Sequence, residues 1–345
     1  RRTFKVRNQM RCSIIINNYN YGRYIKKAID SALSQTYADC EVVVVDDGSS
    51  DDSVSVIQSY GDHIVSVLKE NGGQGSAMNI GFENSSGDVI IFLDSDDWLE
   101  PNAAEVVLYA YHNGVSHLYY GLEMKTPEGD SLGAFKLEME DLDQGPDAWR
   151  AVVERGSVNF PPTSANAFSR SALAQILPMP EADYRIRADV YLLHRAVFYG
   201  EVVALDDLLG NYLVHGSNHW FKEGNSKPKS RKGLGLSRRN PKQFQKGMLQ
   251  AKQKFDLLEA GRLAKDAEWG ALALERWLRL RWKQLLSLKC LKETHPFLTD
   301  TVAALSNDIL GWSSQLGIAT PGLRIRLFLT RFLPSSVLSV FLFKK

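Results

Sequence analysis

The chain has few cysteines: Cys12, Cys40 and Cys290 are its only three in 345 residues, and no two form a CxxC pair. That excludes a disulfide framework and a cysteine zinc site, and it points to a reducing compartment. It also lacks net charge. The formal value is +1, so no overall field draws in nucleic acid or acidic partners, and charge-driven chemistry must come from local clusters. The basic start RRTFKVRNQMR is followed by no apolar h-region, so no secretory signal is expected. No internal repeat is evident. Neither GxGxxG nor GxxxxGK[ST] occurs, which removes the dinucleotide fingerprint and the P-loop. At 44% apolar and 23% charged, the chain has the composition of a globular protein and enough length for one large or two modest domains.

What is present is an alternation. Continuous apolar runs at Cys12–Ile16, Glu41–Val45, Ile64–Leu68 and Val89–Leu93 read as strands. Between them, Tyr24–Gln35, Ser49–Ser59 and Ser76–Asn84 carry helical spacing. The order predicts an α/β fold: a mostly parallel sheet with helices on both faces. A helix and a strand follow between Pro101 and Leu118, a further helix near Ala188–Tyr199, and a strand-turn-strand over Val202–Leu213. Residues 222–246 are dense in Lys and Arg, with Glu223 as the single acid, and read as a basic loop or linker. The remainder is helix-rich.

In parallel sheets of this kind, ligands bind outside the carboxyl ends of the strands. Three polar clusters fall there: Asn17-Asn18-Tyr19-Asn20, Asp46-Asp47-Gly48-Ser49 and Asp94-Ser95-Asp96-Asp97. Ionised carboxylates crowded at a buried strand end repel one another and resist desolvation. A divalent cation offsets both costs, and oxygen ligands suit Mg²⁺ or Mn²⁺, which bind a diphosphate at the same time. FLDSDDW therefore predicts a metal–diphosphate site, with Asp capping of the helix after Pro101 as the plainer alternative. Asp46-Asp47-Gly48 can accept from a base N–H, cap the next helix, or do both. Gly72-Gly73-Gln74-Gly75 alone is a weak phosphate-loop signal.

Taken together, SIIINNYNYGRYIKKAIDSALSQTY, EVVVVDDGSSDDS and ENGGQGSAMNIGFENSSGDVIIFLDSDDWL resemble glycosyltransferase family 2, strongly over residues 12–115 and more loosely over 160–220. The resemblance implies a GT-A (Rossmann-like) fold and an inverting, metal-dependent transferase that takes its sugar from a nucleotide-sugar, most readily a UDP-sugar. The acceptor would be a saccharide or a lipid-linked saccharide in surface polysaccharide or glycoconjugate synthesis. On the matching positions, Asn17, Tyr19, Asn20, Asp47, Asn79, Asp94 and Ser95 would bind the donor. Asp96, Asp97 and His215 would ligate Mn²⁺ or Mg²⁺, and Asp189 would be the general base. Departures from the family pattern are Asn17 and Asn18 in the first strand-end segment, Met78 where an Arg is usual, and Ala188 where an acid is usual. The last two keep a catalytically impaired nucleotide-binding scaffold in view. A nucleotidyltransferase is the other alternative, although Asn17-Asn18-Tyr19-Asn20 is unlike its glycine-rich basic loop.

The resulting domain reading is a GT-A domain over 1–221, a linker over 222–245 and a helical region over 246–345. Pro161–Asn166 reads either as a lining of the acceptor pocket or as a plain connecting loop. Leu323–Phe343 has about the length of a membrane span but is interrupted by Arg324, Arg326, Arg331 and Pro334. It suits packing or a homodimer contact through the C-terminal helices, with peripheral membrane contact as the alternative. The expected setting is cytoplasmic, or peripheral at the inner face of the membrane. No nucleic-acid partner is expected.

Overall fold

Strands buried on both faces need apolar residues at every position, and the first half of the chain supplies them. In a computed structural model that describes residues 10–135, 143–149, 151–152, 158–216 and 218, three such strands lie side by side, with a fourth, more exposed strand at the edge. They are β1 (Cys12–Asn18), β2 (Cys40–Asp46), β3 (Val65–Leu68) and β4 (Val89–Asp94), paired in parallel in the order β3-β2-β1-β4. Their helices are α1 (Gly22–Leu33), α2 (Ser53–Gln58) and α3 (Gln74–Glu83). All described residues fall in one compact unit of the chain.

The pleat sorts each apolar run between two cores. Ile14 and Ile16, Val42 and Val44, and Ile91 and Leu93 point to one side, where Ile25, Ile29 and Ile57 from α1 and α2 meet them. Ile15, Val43, Val45, Ile90 and Phe92 point to the other, against Ala77 and Met78 of α3. All of these side chains are buried.

The sheet then continues with mixed pairing. After β5 (Trp98–Leu99) and α4 (Ala103–Ala110) come β6 (Val115–Lys125) and its antiparallel partner β7 (Ser131–Phe135). β8 (Asn166–Ser169) runs antiparallel between β4 and β6. α5 (Arg170–Ile176) and α6 (Ala188–Ala196) pack on the Met78 side through Leu173, Ile176, Leu192 and Leu193. β9 (Glu201–Leu213) lies parallel to β6 and antiparallel to β5.

The expected strand-turn-strand over Val202–Leu213 is thus one strand. It stays paired to β6 because register shifts at Tyr119/Gly121 and Gly121/Leu122 absorb the polar Asp206-Asp207 step. The expected helix over Ser49–Ser59 is confined to Ser53–Gln58, since Asp51 accepts from the amides of Gly22 and Ser53 in the turn before it. Among the described residues, no helix is long and apolar enough to cross a membrane. The expectations for 222–246, for the C-terminal helices and for Leu323–Phe343 lie outside the described residues.

Candidate functional site

The parallel strands deliver their last residues to one edge. Asn17 of β1 is the register partner of Asp94 of β4, and Asn18 is that of Asp46 of β2. After β4 the chain turns sharply, with the Asp97 amide donating to the Asp94 carbonyl at 3.0 Å. This turn separates the three aspartates into three environments.

Asp97 points inward and is buried. Its Oδ2 accepts from Ser164 Oγ at 2.6 Å and its Oδ1 from the Leu213 amide at 3.0 Å. Burial and the charges of Asp96 and Asp94 push its carboxyl well above the usual range, while those two hydrogen bonds oppose the shift. Both oxygens therefore bind protein donors, so Asp97 fastens the turn to β9 and to the 163–165 segment.

Asp96 faces the recess. Its Oδ2 lies 2.9 Å from His215 Nε2. Asp94 is pushed up to about 7, first by burial and then by the charges of Asp96 and Asp189; Thr163 and Asn17 pull the other way. The Asn17 amide is enclosed beside it. Ser164, besides binding Asp97, accepts from the Asp94 amide at 3.1 Å.

Asp189 enters from the first turn of α6. It shares a narrow cleft with Met78, Phe92, Leu192 and Leu193. Burial raises its pKa, against the pull of the Val190 and Asp189 amides and of Arg187. Four carboxylates from two segments thus lie near one another, and three of them are raised above their ordinary values.

The second strand end is built differently. Asp46 is occupied locally: Ser49 donates to it from its amide and hydroxyl, and Asn18 Nδ2 donates at 2.8 Å. Asp47 is gripped by the loop before α3, with Lys69 Nζ at 2.6 Å, the Gly72 amide at 2.8 Å and the Gly73 amide at 2.7 Å. Gly73 has φ +91°, and a Cβ there would sit 2.6 Å from the Arg185 Cα, so only glycine fits. Asn20 ties the first strand end to the second, accepting from the Ser50 amide at 2.7 Å while its own amide donates to Ser49 Oγ. Tyr19 is 49% exposed at the mouth, and Ser95 is buried in the turn. Asn79 lies elsewhere: its amide pairs reciprocally with the Met179 backbone at 2.8 and 3.0 Å. It clamps α3 to that turn, so the structure does not bring it into the carboxylate recess.

Sequence reasoning missed the wall around His215. Tyr24 stacks on its ring at 5.1 Å and Tyr21 meets it edge-on at 5.9 Å. The Tyr21 hydroxyl is pushed up to about 12 by burial and by Asp96, Asp94 and Asp97. It also missed Lys69, the partner of Asp47, and Ser164, which serves two aspartates. Only Pro161–Asn166 gave a signal for the latter, as a polar run between structured segments. Among the described residues, no three His, Cys, Asp or Glu side chains cluster closely enough to ligate an ion by themselves.

Residues 13–177 match the family model described as "Glycosyl transferase family 2". An uncharacterized glycosyltransferase of Nostoc sp. is 33% identical over 219 residues, 61% of this chain and 66% of that protein. Chondroitin synthase of Escherichia coli is 41% identical over 107 residues, 30% of this chain and 16% of that protein. The matched stretch therefore spans just under two thirds of the first relative and a small part of the second. Among solved structures, S. aureus TarS 1-349 in complex with UDP has the same fold at a TM-score of 0.50 and 17% identity, covering 89% of this chain and 92% of that one. That likeness places the described sheet among GT-A-like folds.

Proposed function

Because the chain belongs to glycosyl transferase family 2 through residues 13–177, we propose that it transfers a sugar, with inversion, from a UDP-sugar to a saccharide or lipid-linked saccharide acceptor. The observation that carries this reading is the convergence of Asp94, Asp96 and Asp189, with the Asp94 carboxyl pushed up to about 7 by burial and by its neighbours' charge. A site built to stay empty would not gather repelling carboxylates at a buried strand end. A site built for a cationic cofactor and a diphosphate would. The relatives' names and the UDP in the TarS structure add support for a nucleotide-sugar donor.

The residues suit Mn²⁺ or Mg²⁺. A small hard cation commonly takes one or two carboxylates and completes its shell with water and substrate phosphate. That agrees with a recess in which no three side chains close on one point. Asp96 is the residue that would hold the ion, with His215 beside it and Asp94 close enough to feel its charge. When bound, the cation supplies positive charge to the departing diphosphate.

The chain's own groups do the rest. Asp47 would accept from a base N–H at the second strand end beside its contacts from Lys69, Gly72 and Gly73, and the Asn17 amide lies next to Asp94 on the donor side. Asp189 takes the proton from the acceptor hydroxyl as it attacks the anomeric carbon opposite the diphosphate. A carboxylate raised by an apolar cleft is a stronger base than one in water. The Val190 and Asp189 amides and Arg187 oppose that rise.

The test is release of UDP from a panel of UDP-sugars, with and without Mn²⁺, for the wild type and for Asp189→Asn. The reading expects metal-dependent release, lost by at least about a hundredfold in the variant, with UDP binding retained. Undiminished release in Asp189→Asn would remove it as the base.

A further inference from the structure

The base-bearing helix begins unusually. An N-cap residue ordinarily has extended backbone and lends a side-chain oxygen to the first free amides of its helix. At α6 the N-cap is Arg187, whose φ of +67° is left-handed, and no side-chain cap bond is made from this position. Arginine carries no acceptor in any case. The missing acceptor arrives from another helix: Gln74 Oε1 accepts from the Ala188 amide at 3.0 Å. Gln74 is itself the first residue of α3.

The backbone around Gln74 is laced to the same segment. The Gln74 amide donates to the Arg185 carbonyl at 2.9 Å, and the Gly75 amide to the Tyr184 carbonyl at 3.0 Å. In return, Arg185 donates through Nη1 to the Gly72 carbonyl at 3.0 Å and through Nη2 to Asn71 Oδ1 at 2.5 Å. The amides just before Gln74, those of Gly72 and Gly73, are the ones that grip Asp47. One short loop thus holds the carboxylate at the nucleotide end of the recess and, through its next side chain, the first turn that carries Asp189.

We propose that Gln74 is a positioning residue for the transfer: its side-chain oxygen fixes the first amide of α6 and so sets Asp189 at the acceptor side of the recess. It touches neither donor nor acceptor. The proposal rests on the reading of Asp189 as the base. Loss of the bond loosens the first turn of α6 and moves the carboxylate off line, and small misplacements of a reacting group cost orders of magnitude in rate. Glutamate keeps an oxygen at the same reach and should restore the bond. Alanine and methionine cannot.

Two measurements on the full chain test this. The first is amide hydrogen exchange of the segment containing residues 184–193. Gln74→Ala and Gln74→Met should exchange faster there than wild type, and Gln74→Glu should stay protected. Unchanged exchange in Gln74→Ala overturns the proposal whether or not a donor has been found. The second is steady-state kinetics with a UDP-sugar that turns over. Gln74→Ala and Gln74→Met should lose about tenfold or more in kcat with the donor KM within about twofold, and Gln74→Glu should recover most of it. A lower melting temperature with kcat intact, or a loss confined to donor KM, overturns it. Asp189→Asn run alongside separates the two ideas. If it is inactive while Gln74→Ala keeps its kcat, only the positioning role fails. If Asp189→Asn turns over like wild type, the base assignment fails and takes the positioning role with it.

Discussion

His215 Nε2 lies 2.9 Å from Asp96 Oδ2, although the two residues are 119 positions apart. The end of β9 brings the histidine there. Its amide bonds to Asn218 Oδ1, Asn218 Nδ2 donates to the Leu213 carbonyl at 2.9 Å, and Tyr21 and Tyr24 hold the ring. The histidine is thus locked from its backbone and from its ring face, and it orients the carboxylate proposed to hold the cation.

The first prediction follows. His215→Ala should weaken Mn²⁺-dependent UDP binding by roughly ten- to a hundredfold, the usual loss when a partner that orients a ligand is removed. Isothermal titration with UDP, in manganese and then in EDTA, checks it. The EDTA value should not change between the two proteins.

Ser164 carries the second. Its hydroxyl donates to the buried Asp97 at 2.6 Å. Removing one partner of a buried hydrogen bond leaves the other unsatisfied at a cost of about 1–3 kcal/mol. Ser164→Ala should therefore lower the unfolding free energy by about that amount near pH 8, as read from urea melts.

How much of this was legible beforehand follows from which residues act locally. The three inner parallel strands were plain because burial on both faces demands unbroken apolar runs, and Ile14–Ile16, Val42–Val45 and Val89–Leu93 supply them. Their ends were plain for the same reason, since Asp46 and Asp94 are where the runs stop. β9 was misread because Asp206 and Asp207 look like a turn until β6 is seen to shift register beside them. The inward turn of Asp97 to Ser164 was not legible, because spacing along a DSDD run says nothing of which carboxylate turns inward. Lys69, Tyr21, Tyr24 and Gln74 act through partners far away in sequence or on another element, and no local pattern announces such pairs.

His117 gives a prediction about pH. It is fully buried on β6, stacked on Phe168 at 4.5 Å with Nε2 2.9 Å from Asn166 Oδ1. Burial lowers its pKa from 6.5 to about 3. Between those values the unfolded chain binds a proton that the folded one refuses, so this contribution is intact above pH 6.5 and is lost as pH falls toward 3. From pH 7 to pH 5 the wild type should lose about 2 kcal/mol more than His117→Phe, whatever the offset between them at pH 7. Denaturant melts at the two pH values give the difference directly, and parallel slopes would refute the assignment.

The central claim is that the carboxylate recess binds a divalent cation together with the donor's diphosphate, and that Asp96 is the carboxylate holding the ion. The most direct measurement is UDP affinity with Mn²⁺ and with EDTA, for the wild type and Asp96→Asn. The account predicts that manganese tightens UDP binding by about tenfold or more in the wild type and leaves Asp96→Asn unchanged. Equal UDP affinity in manganese and in EDTA for the wild type, or an undiminished manganese effect in Asp96→Asn, would contradict it.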